Sequence, residues 1–362
     1  MLMPSRSVNA VLLVSVIAAG CRRDRSLGEF DGARLVLMDT VLLAEKDTAF
    51  VGKASSLVVG PDRRYFIGDL FSKRVLVFDS AGRFDLGVGR AGHGPGELMA
   101  PTKLALDGDS LLYVIDNSSV ELEVFDARSG VFRYQRTFPQ RLSMLAVHGA
   151  HVIAGLPDPE TRHSAVIIHG PDGPLPAIGP MPTLLDNPVV RNIFGTVEVA
   201  TIGDTLVTAY EVSNFVYFTD ISQRSVLDSV EFVPTLRHGA RVDLLSRITP
   251  NDLSAVEAAV YKSSLPVELS LMGPGQLALV SLDWGWESNR VVGTNYVAVA
   301  DLKRRRVCPD TRIPGPFDPA PRVAMRGDTL FVLSQEVVGD AANTVIRTYR
   351  IDPSTCNWRR TP

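Results

Sequence analysis

The sequence has little cysteine, little lysine and no excess of one charge. Its 362 residues include 37 Lys and Arg against 40 Asp and Glu, which gives a net charge of -3. A nucleic-acid-binding domain is expected to carry a strongly basic face, so this balance argues against nucleic acid as a partner. Beyond the N-terminal segment, no apolar run reaches the roughly 18 residues that a membrane-spanning helix needs.

Familiar catalytic signatures are also missing. The sequence contains no G-x-S-x-G elbow, no Walker A loop and no H-E-x-x-H motif. Gly87, Gly89 and Gly92 do satisfy G-x-G-x-x-G, but "HGPGELMAP" follows them. Its prolines exclude the helix whose free N–H groups would bind the phosphates of a dinucleotide. We therefore interpret residues 87–97 as a linker.

The N-terminus has the pattern of a lipoprotein signal peptide. Arg6 supplies a positive charge, residues 10–19 form a short apolar stretch, and small residues at 18–20 precede Cys21. Such a stretch is too short to span a bilayer and is typical of a secretory signal. It resembles the lipobox of bacterial lipoproteins, in which the signal is removed before a cysteine that carries the lipid. An ordinary secretory signal is the alternative.

This resemblance implies a lipid-anchored protein of the bacterial cell envelope. The signal peptide would cover residues 1–20, and residues 21–33 would form a polar tether that begins with lipidated Cys21. Arg22 stands where an Asp would favour retention in the inner membrane. We therefore expect the outer membrane, with the protein facing the periplasm or the exterior, and the membrane itself as a partner through the lipid.

The two remaining cysteines are Cys308 and Cys356. An oxidising compartment permits a disulfide between them. Each follows an apolar strand, however, and equivalent positions in successive repeats would hold the two Cα atoms farther apart than the roughly 7 Å that a disulfide spans. The sequence leaves both alternatives open.

An internal repeat organises the chain. A shift of 47 residues aligns segment 55–82 with segment 102–130 and brings Asp69 onto Asp116. Each unit contains four short apolar strands separated by turns, and the alternation in "RVLVFD" and "ELEVFD" is typical of strands buried on one face. Weaker copies lie near 142–173, 197–222, 267–302 and 322–352.

Four strands per unit at this period indicate the blades of a β-propeller. With six copies, we predict an all-β fold: a six-bladed propeller with four-stranded blades over residues 34–362. The apolar segment 34–45 is predicted to pair with the last blade and close the ring. At about 249–264 the pattern breaks, and Thr249 as N-cap before Pro250 predicts one short helical insertion.

The linker and its flanks, "VFDSAGRF...GHGPGEL..P..LALD", resemble bacterial six-bladed β-propeller lipoproteins related to NHL-repeat proteins. In those proteins a G-x-G-P-G-E-F-like linker precedes a proline and the next blade, and here Leu98 replaces the Phe. The resemblance is clear over about residues 50–130. Some relatives of the NHL propellers are metal-dependent lyases or lactonases with a central site.

Propeller topology places the interblade linkers and the turn after each second strand, such as the turn after Asp69, on one face. We call it the mouth face. The candidate ligand-binding residues predicted there are Asp69, His93, Glu97, Asp116, Glu211, Asp283, Trp284, Trp286 and Glu336.

These residues allow more than one role. A ring of carboxylates can bind Ca²⁺ through oxygen ligands, with Asp69, Asp116 and Asp283 as the first candidates. The structural alternative is that Asp69 and Asp116 cap their own turns by accepting bonds from backbone N–H groups. Trp284 and Trp286 can anchor a ligand or partner protein, or pack beneath their own loop.

Two functions from different classes follow. The first is a binding or scaffolding module for an envelope protein or for a small ligand at the mouth, and it needs no catalytic residue. The alternative is a divalent-metal-dependent lyase or lactonase-like hydrolase, which requires at least three carboxylates around one ion. A spacer with a featureless mouth is a third possibility. No catalytic residue is identified from the sequence.

Overall fold

The computed structural model describes residues 31–45, 49–149, 151–170, 173, 175–249, 252–287, 290–315, 321–338 and 341–361. Cys21, the predicted signal peptide and most of the predicted tether lie outside these residues. Within them, no helix is long and apolar enough to cross a membrane.

Six antiparallel sheets form the blades of a propeller, which confirms the predicted fold class. In the first three blades the strands run in chain order from the innermost to the outermost. Blade one consists of Ala54–Val59, Tyr65–Asp69, Arg74–Phe78 and Phe84–Val88. Blade two consists of Pro101–Asp107, Leu111–Asp116, Glu121–Asp126 and Phe132–Thr137. Blade three consists of Leu145–His148, His151–Asp158, His163–Ile168 and Ala177–Pro180.

The last three blades keep this arrangement with additions. Blade four consists of Val197–Ile202, Thr205–Tyr210, Phe215–Asp220 and Val226–Glu231. Blade five consists of Ser264–Gly273, Gln276–Glu287, Arg290–Asp301 and Arg306–Arg312, and Arg359–Arg360 adds a fifth strand at its outer edge. Blade six takes Arg322–Arg326, Thr329–Val338 and Ala341–Asp352 from the end of the chain.

The N-terminal strand Arg34–Leu42 is the outermost strand of blade six. It pairs antiparallel with Ala341–Asp352, with Arg34 opposite Asp352 and Leu42 opposite Val345. This pairing confirms the predicted ring closure. It also covers a sheet edge that would otherwise expose unpaired backbone groups.

Buried apolar side chains fill the seams between neighbouring blades. Phe66, Val77 and Phe125 pack between blades one and two, and equivalent clusters occupy the other five seams among the described residues. The second strand of a blade packs against neighbours on both faces, so all five residues of Tyr65–Asp69 are buried. The apolar strands recognised in the sequence therefore correspond to the layers of this continuous core.

Short helices lie in two interblade linkers. Pro188–Phe194 precedes blade four, while Val242–Leu245 and Leu253–Val260 precede blade five. Leu253–Val260 lies inside the predicted range 249–264, but its N-cap is Asp252, whose side chain accepts a bond from the backbone N–H of Ala255, and not Thr249. The other two helices, of seven and four residues, were not predicted because each spans two turns or fewer and shows little periodicity.

Two further short helices are of the 3₁₀ type, Thr183–Asp186 and Pro353–Thr355. The second leads into a C-terminal segment that lies beside the N-terminal strand. A disulfide joins Cys356 in this segment to Cys308 in the outer part of blade five, with the two Cα atoms 5.3 Å apart. The cysteines are therefore not at equivalent positions of successive blades, because Cys356 lies beyond the last strand of blade six.

Candidate functional site

Asp69 and Asp116 occupy equivalent places on the mouth face. Asp69 accepts bonds from the backbone N–H of Lys53 at 2.6 Å and of Ser72 at 2.8 Å. Asp116 accepts bonds from the backbone N–H groups of Met99, at 2.6 Å, and Ala100, at 3.0 Å. Each carboxylate therefore ties the linker entering its blade to the end of the second strand.

Asp283 and Glu336 also have partners within the protein. Asp283 accepts bonds from the backbone N–H of His238, at 2.8 Å, and from the Ser264 hydroxyl. Glu336 forms an ion pair with Arg347 in the neighbouring strand. Glu211 is buried, and this burial raises the pKa of its carboxyl to about 8. The predicted mouth carboxylates thus lie apart, each in its own blade.

The glycine-rich linker forms no helix, as predicted. Its backbone makes a small parallel pairing between Arg90–Ala91 and Glu97–Leu98. The Glu97 carboxylate accepts bonds from the backbone N–H of Gly94 and from the Arg90 guanidinium, both at 2.9 Å. These bonds hold the pKa of Glu97 below its usual value. Glu97 thus stabilises the linker itself, and His93 is exposed beside it.

The two tryptophans lie in a strand, not in the loop that the sequence suggested. Gln276–Glu287 and Arg290–Asp301 form a long hairpin, in which Trp284 pairs with Gly293 and Trp286 with Val291. Trp284 is half-buried. The side chain of Trp286 lies outside the described residues. The extension of both strands beyond the usual blade length carries these positions into the sheet.

No group of three or more His, Cys, Asp or Glu side chains is arranged to hold a metal ion in the part of the chain that the structure describes. The carboxylates of Asp69, Asp116 and Asp283 accept bonds from backbone N–H groups instead. A central Ca²⁺ site built from these three residues therefore has no support in their geometry.

A different set of charged residues converges on the central channel. The innermost strands of the six blades surround a cavity of about 370 Å³. Its wall is formed largely by apolar and small side chains. Four charged residues interrupt that wall: Lys103, Glu198, Glu268 and Arg322.

The ring order separates these charges by sign. Lys103 of blade two and Arg322 of blade six flank blade one, whose inner strand adds Ser55 and Ser56 to the wall. Glu198 and Glu268 belong to the neighbouring blades four and five, on the opposite part of the ring. One half of the channel is therefore basic and the other half is acidic.

The acidic half is strongly desolvated. Glu198 is 5% exposed, and its Oε2 atom has no hydrogen-bond donor in the structure. Burial raises the pKa of Glu198 to about 8, while Lys103 partly opposes this rise. Burial also raises the pKa of Glu268 well above its usual value, and repulsion from Glu198 adds to the effect.

The basic half has few protein partners. The Arg322 Nε donates a hydrogen bond to the carbonyl of Ala54 at 3.0 Å, and burial lowers the pKa of this guanidinium. Burial likewise lowers the pKa of Lys103, against the opposing attraction of Glu198. The salt bridges found among the described residues involve neither Lys103 nor Arg322.

The sequence predictions did not include these four residues, because all predicted candidates were assigned to the turns and linkers of the mouth face. A signal was present: each lies in an innermost strand that is otherwise mostly apolar, in "TKLALD", "VEVATI", "VELSLM" and "RVAMR". A charged side chain in such a strand needs polar surroundings, because burying an unpaired charge costs free energy. The convergence of the four on one space, however, depends on closure of the ring.

Comparison with known proteins supports the fold. Residues 39–150 match the DUF5128 family model, which is described as a 6-bladed beta-propeller. A Bacteroides fragilis protein described as exported is 14% identical with a TM-score of 0.62, over 91% of this chain and 98% of its own. A Bacteroides vulgatus member of the DUF4221 family is 10% identical with a TM-score of 0.60, over 90% and 100%.

The two structural similarities show a shared fold, and the matching family model describes a six-bladed propeller. At such identities the structures say nothing about a common ligand or activity. No curated protein matches the chain. The relation to NHL-repeat proteins stays a prediction.

Proposed function

We propose that this protein is a lipid-anchored, extracytoplasmic propeller that binds a small ligand in its central channel. The observation that carries the proposal is the channel itself, a cavity of about 370 Å³ that six blades line and into which four of them bring two basic and two acidic side chains. The anchor is Cys21, and the ligand site is the wall formed by Lys103, Glu198, Glu268 and Arg322.

Desolvation supports a binding role for the channel. Burying a charged group costs free energy unless the group is paired or hydrogen-bonded. Glu198 Oε2 lacks a donor, and Lys103 and Arg322 form no salt bridge among the described residues. A ligand that pairs with these groups recovers interactions that the protein does not make by itself.

The proposed location has independent support. The N-terminal segment has the charge, apolar length and cysteine of a lipoprotein signal. The disulfide between Cys308 and Cys356 is typical of proteins in oxidising compartments. A structurally similar protein of Bacteroides fragilis is described as exported.

The test is a ligand screen on the purified full-length protein. Small carboxylic acids, amines, amino acids and sugars are compared by thermal shift, and those that stabilise the protein are titrated by calorimetry. The double variant Lys103→Met with Glu198→Gln removes one charge from each half of the channel. The double variant Lys303→Met with Glu160→Gln makes the same changes at exposed positions and is the control.

We expect at least one compound class to bind the wild type and the control but not the channel variant. A compound that binds all three proteins equally occupies another site. A complete lack of binding across the panel contradicts the proposed function.

A further inference from the structure

We propose that the channel ligand is a small zwitterion, bound with its carboxylate between Lys103 and Arg322 and its ammonium between Glu198 and Glu268. This inference rests on the proposed ligand-binding function and adds the chemical class of the ligand. It comes from the division of the channel into a basic and an acidic half.

The geometry of the ring separates the two halves. In a closed ring of six blades, blade two lies opposite blade five and blade one lies opposite blade four. Glu268 on blade five therefore lies across the channel from Lys103 on blade two. Glu198 on blade four lies across from the serines of blade one. Blade one lies between the two blades that carry the basic residues. A ligand that crosses the channel meets opposite charges at its two ends.

Other ligand charges suit this arrangement less well. A dianion would bring its second carboxylate to Glu198 and Glu268, and a dication would bring its second ammonium to Lys103 and Arg322. Two ammonium groups repel at the basic half, and a second carboxylate at the acidic half opposes the ionisation of Glu198 and Glu268, whose pKa values burial already raises. A neutral ligand would offer no ionic partner to Lys103 or Arg322, which are half-buried.

The individual groups have capacity for these contacts. The Nε of Arg322 donates to the carbonyl of Ala54. Among the described residues, none accepts a hydrogen bond from its two terminal nitrogens, which together carry four N–H donors. The Lys103 ammonium has three donors and no hydrogen-bond partner among the described residues. On the other side, Glu198 Oε2 has no donor. A carboxylate and an ammonium supply the partners that these three groups lack.

The test uses five probes that share a five-carbon chain. They are 5-aminopentanoate, pentanoate, pentylamine, glutarate and cadaverine. Calorimetric titration of the full-length protein should show that the zwitterion binds at least about tenfold more tightly than any of the other four, since an added charge-assisted contact is worth about 1.5–3 kcal/mol.

Single variants assign each half of the channel. We expect Lys103→Met to reduce the affinity for 5-aminopentanoate to about that of pentylamine, while Lys103→Arg restores part of it. We expect Glu198→Gln to reduce it to about that of pentanoate. Each variant should keep the wild-type circular dichroism spectrum. Because Lys103→Arg conserves the charge and Glu198→Gln is nearly isosteric, neither change is expected to reduce affinity through misfolding.

The outcomes separate this inference from the proposed function. If glutarate or cadaverine binds as tightly as the zwitterion, and the channel double variant abolishes that binding, the function stands and the zwitterion assignment is wrong. The same conclusion holds if none of the five probes binds while another class of the wider panel does. If nothing in either panel binds, both proposals are wrong.

Discussion

Glu268 of blade five lies across the central channel from Lys103 of blade two, and the two residues influence each other's pKa. The attraction of Lys103 opposes the rise in the pKa of Glu268, but burial outweighs it. Burial therefore favours the protonated, neutral form of Glu268 even though Lys103 lies across the channel. This relationship is the basis for the pH dependence that we expect.

We predict that the free energy of unfolding falls between pH 5 and pH 8. The pKa of Glu198 and of Glu211 is about 8, that of Glu123 is about 7, and that of Glu268 is also raised, so the folded state holds protons that the unfolded state has released. A carboxyl with a raised pKa stabilises the fold fully below its unfolded pKa, and this contribution is lost as the pH rises through the folded pKa.

Chemical denaturation at pH 5, 6, 7 and 8 measures this fall. Glu198→Gln should weaken it, so that the stability of the variant relative to the wild type rises by more than about 1 kcal/mol over the range, since one pKa unit is worth about 1.4 kcal/mol. The lowered pKa of His169 acts in the opposite direction near pH 6, and the lowered pKa of Lys103 does so at alkaline pH. Parallel curves for Glu198→Gln and the exposed control Glu160→Gln would contradict the prediction.

Asp69→Asn and Asp116→Asn should each destabilise the propeller. An amide keeps one acceptor oxygen but places an NH₂ group against backbone N–H donors, so each variant loses a charge-assisted bond at the mouth face. We expect a loss of about 1–3 kcal/mol by chemical denaturation.

The same two residues distinguish a structural role from metal binding. Ca²⁺ and EDTA should leave the unfolding midpoint of the wild type unchanged, because these carboxylates accept bonds from the protein itself. A midpoint that falls with EDTA in the wild type but not in Asp69→Asn would instead establish a metal site at this residue.

The disulfide should stabilise the joined ends of the chain. Cys308–Cys356 fastens the C-terminal segment, whose Asn357 N–H donates to the carbonyl of Asp31 at 2.7 Å, against blade five. Reduction should lower the free energy of unfolding by about 2–4 kcal/mol and speed hydrogen exchange at residues 357–361.

The double variant Cys308→Ala with Cys356→Ala provides the control for reduction. Its free energy of unfolding should match that of the reduced wild type and should not change when a reducing agent is added. If the wild type and this variant unfold alike under oxidising conditions, the disulfide contributes nothing to stability.

Cys21→Ser should abolish lipid attachment. We expect the wild type to incorporate labelled palmitate and to fractionate with membranes, and the variant to do neither, since the lipid is the proposed anchor. A variant that still fractionates with membranes would show that another part of the protein binds them.

The pattern of four-strand repeats was sufficient to predict the architecture. The aligned units around Asp69 and Asp116 identified the first two blades, and the proline-containing linker excluded a dinucleotide-binding helix. These features are local, since alternation within a strand and the chemistry of a turn depend on neighbouring residues. The unpredicted helix Pro188–Phe194 begins at the N-cap Asn187, but its seven residues are too few to show a clear period.

The candidate site was predicted from the sequence less completely than the fold. The sequence predicted mouth-face carboxylates in blades one and two. Their position alone did not reveal that the linker residues Lys53, Met99 and Ala100 supply their hydrogen-bond donors. The tryptophan hairpin was placed in a loop because blade length varies. Its extended strands are stabilised by cross-strand pairing, which local propensity does not report.

The sequence by itself determined the repeating strands, the turns between them and the segment that closes the ring, because each follows from apolar periodicity and turn chemistry within a few residues. Only the tertiary structure decided that Lys103, Glu198, Glu268 and Arg322 share one cavity. These residues are up to 219 positions apart, the separation of Lys103 and Arg322. They meet because six blades bend into a ring and place their innermost strands around a common axis.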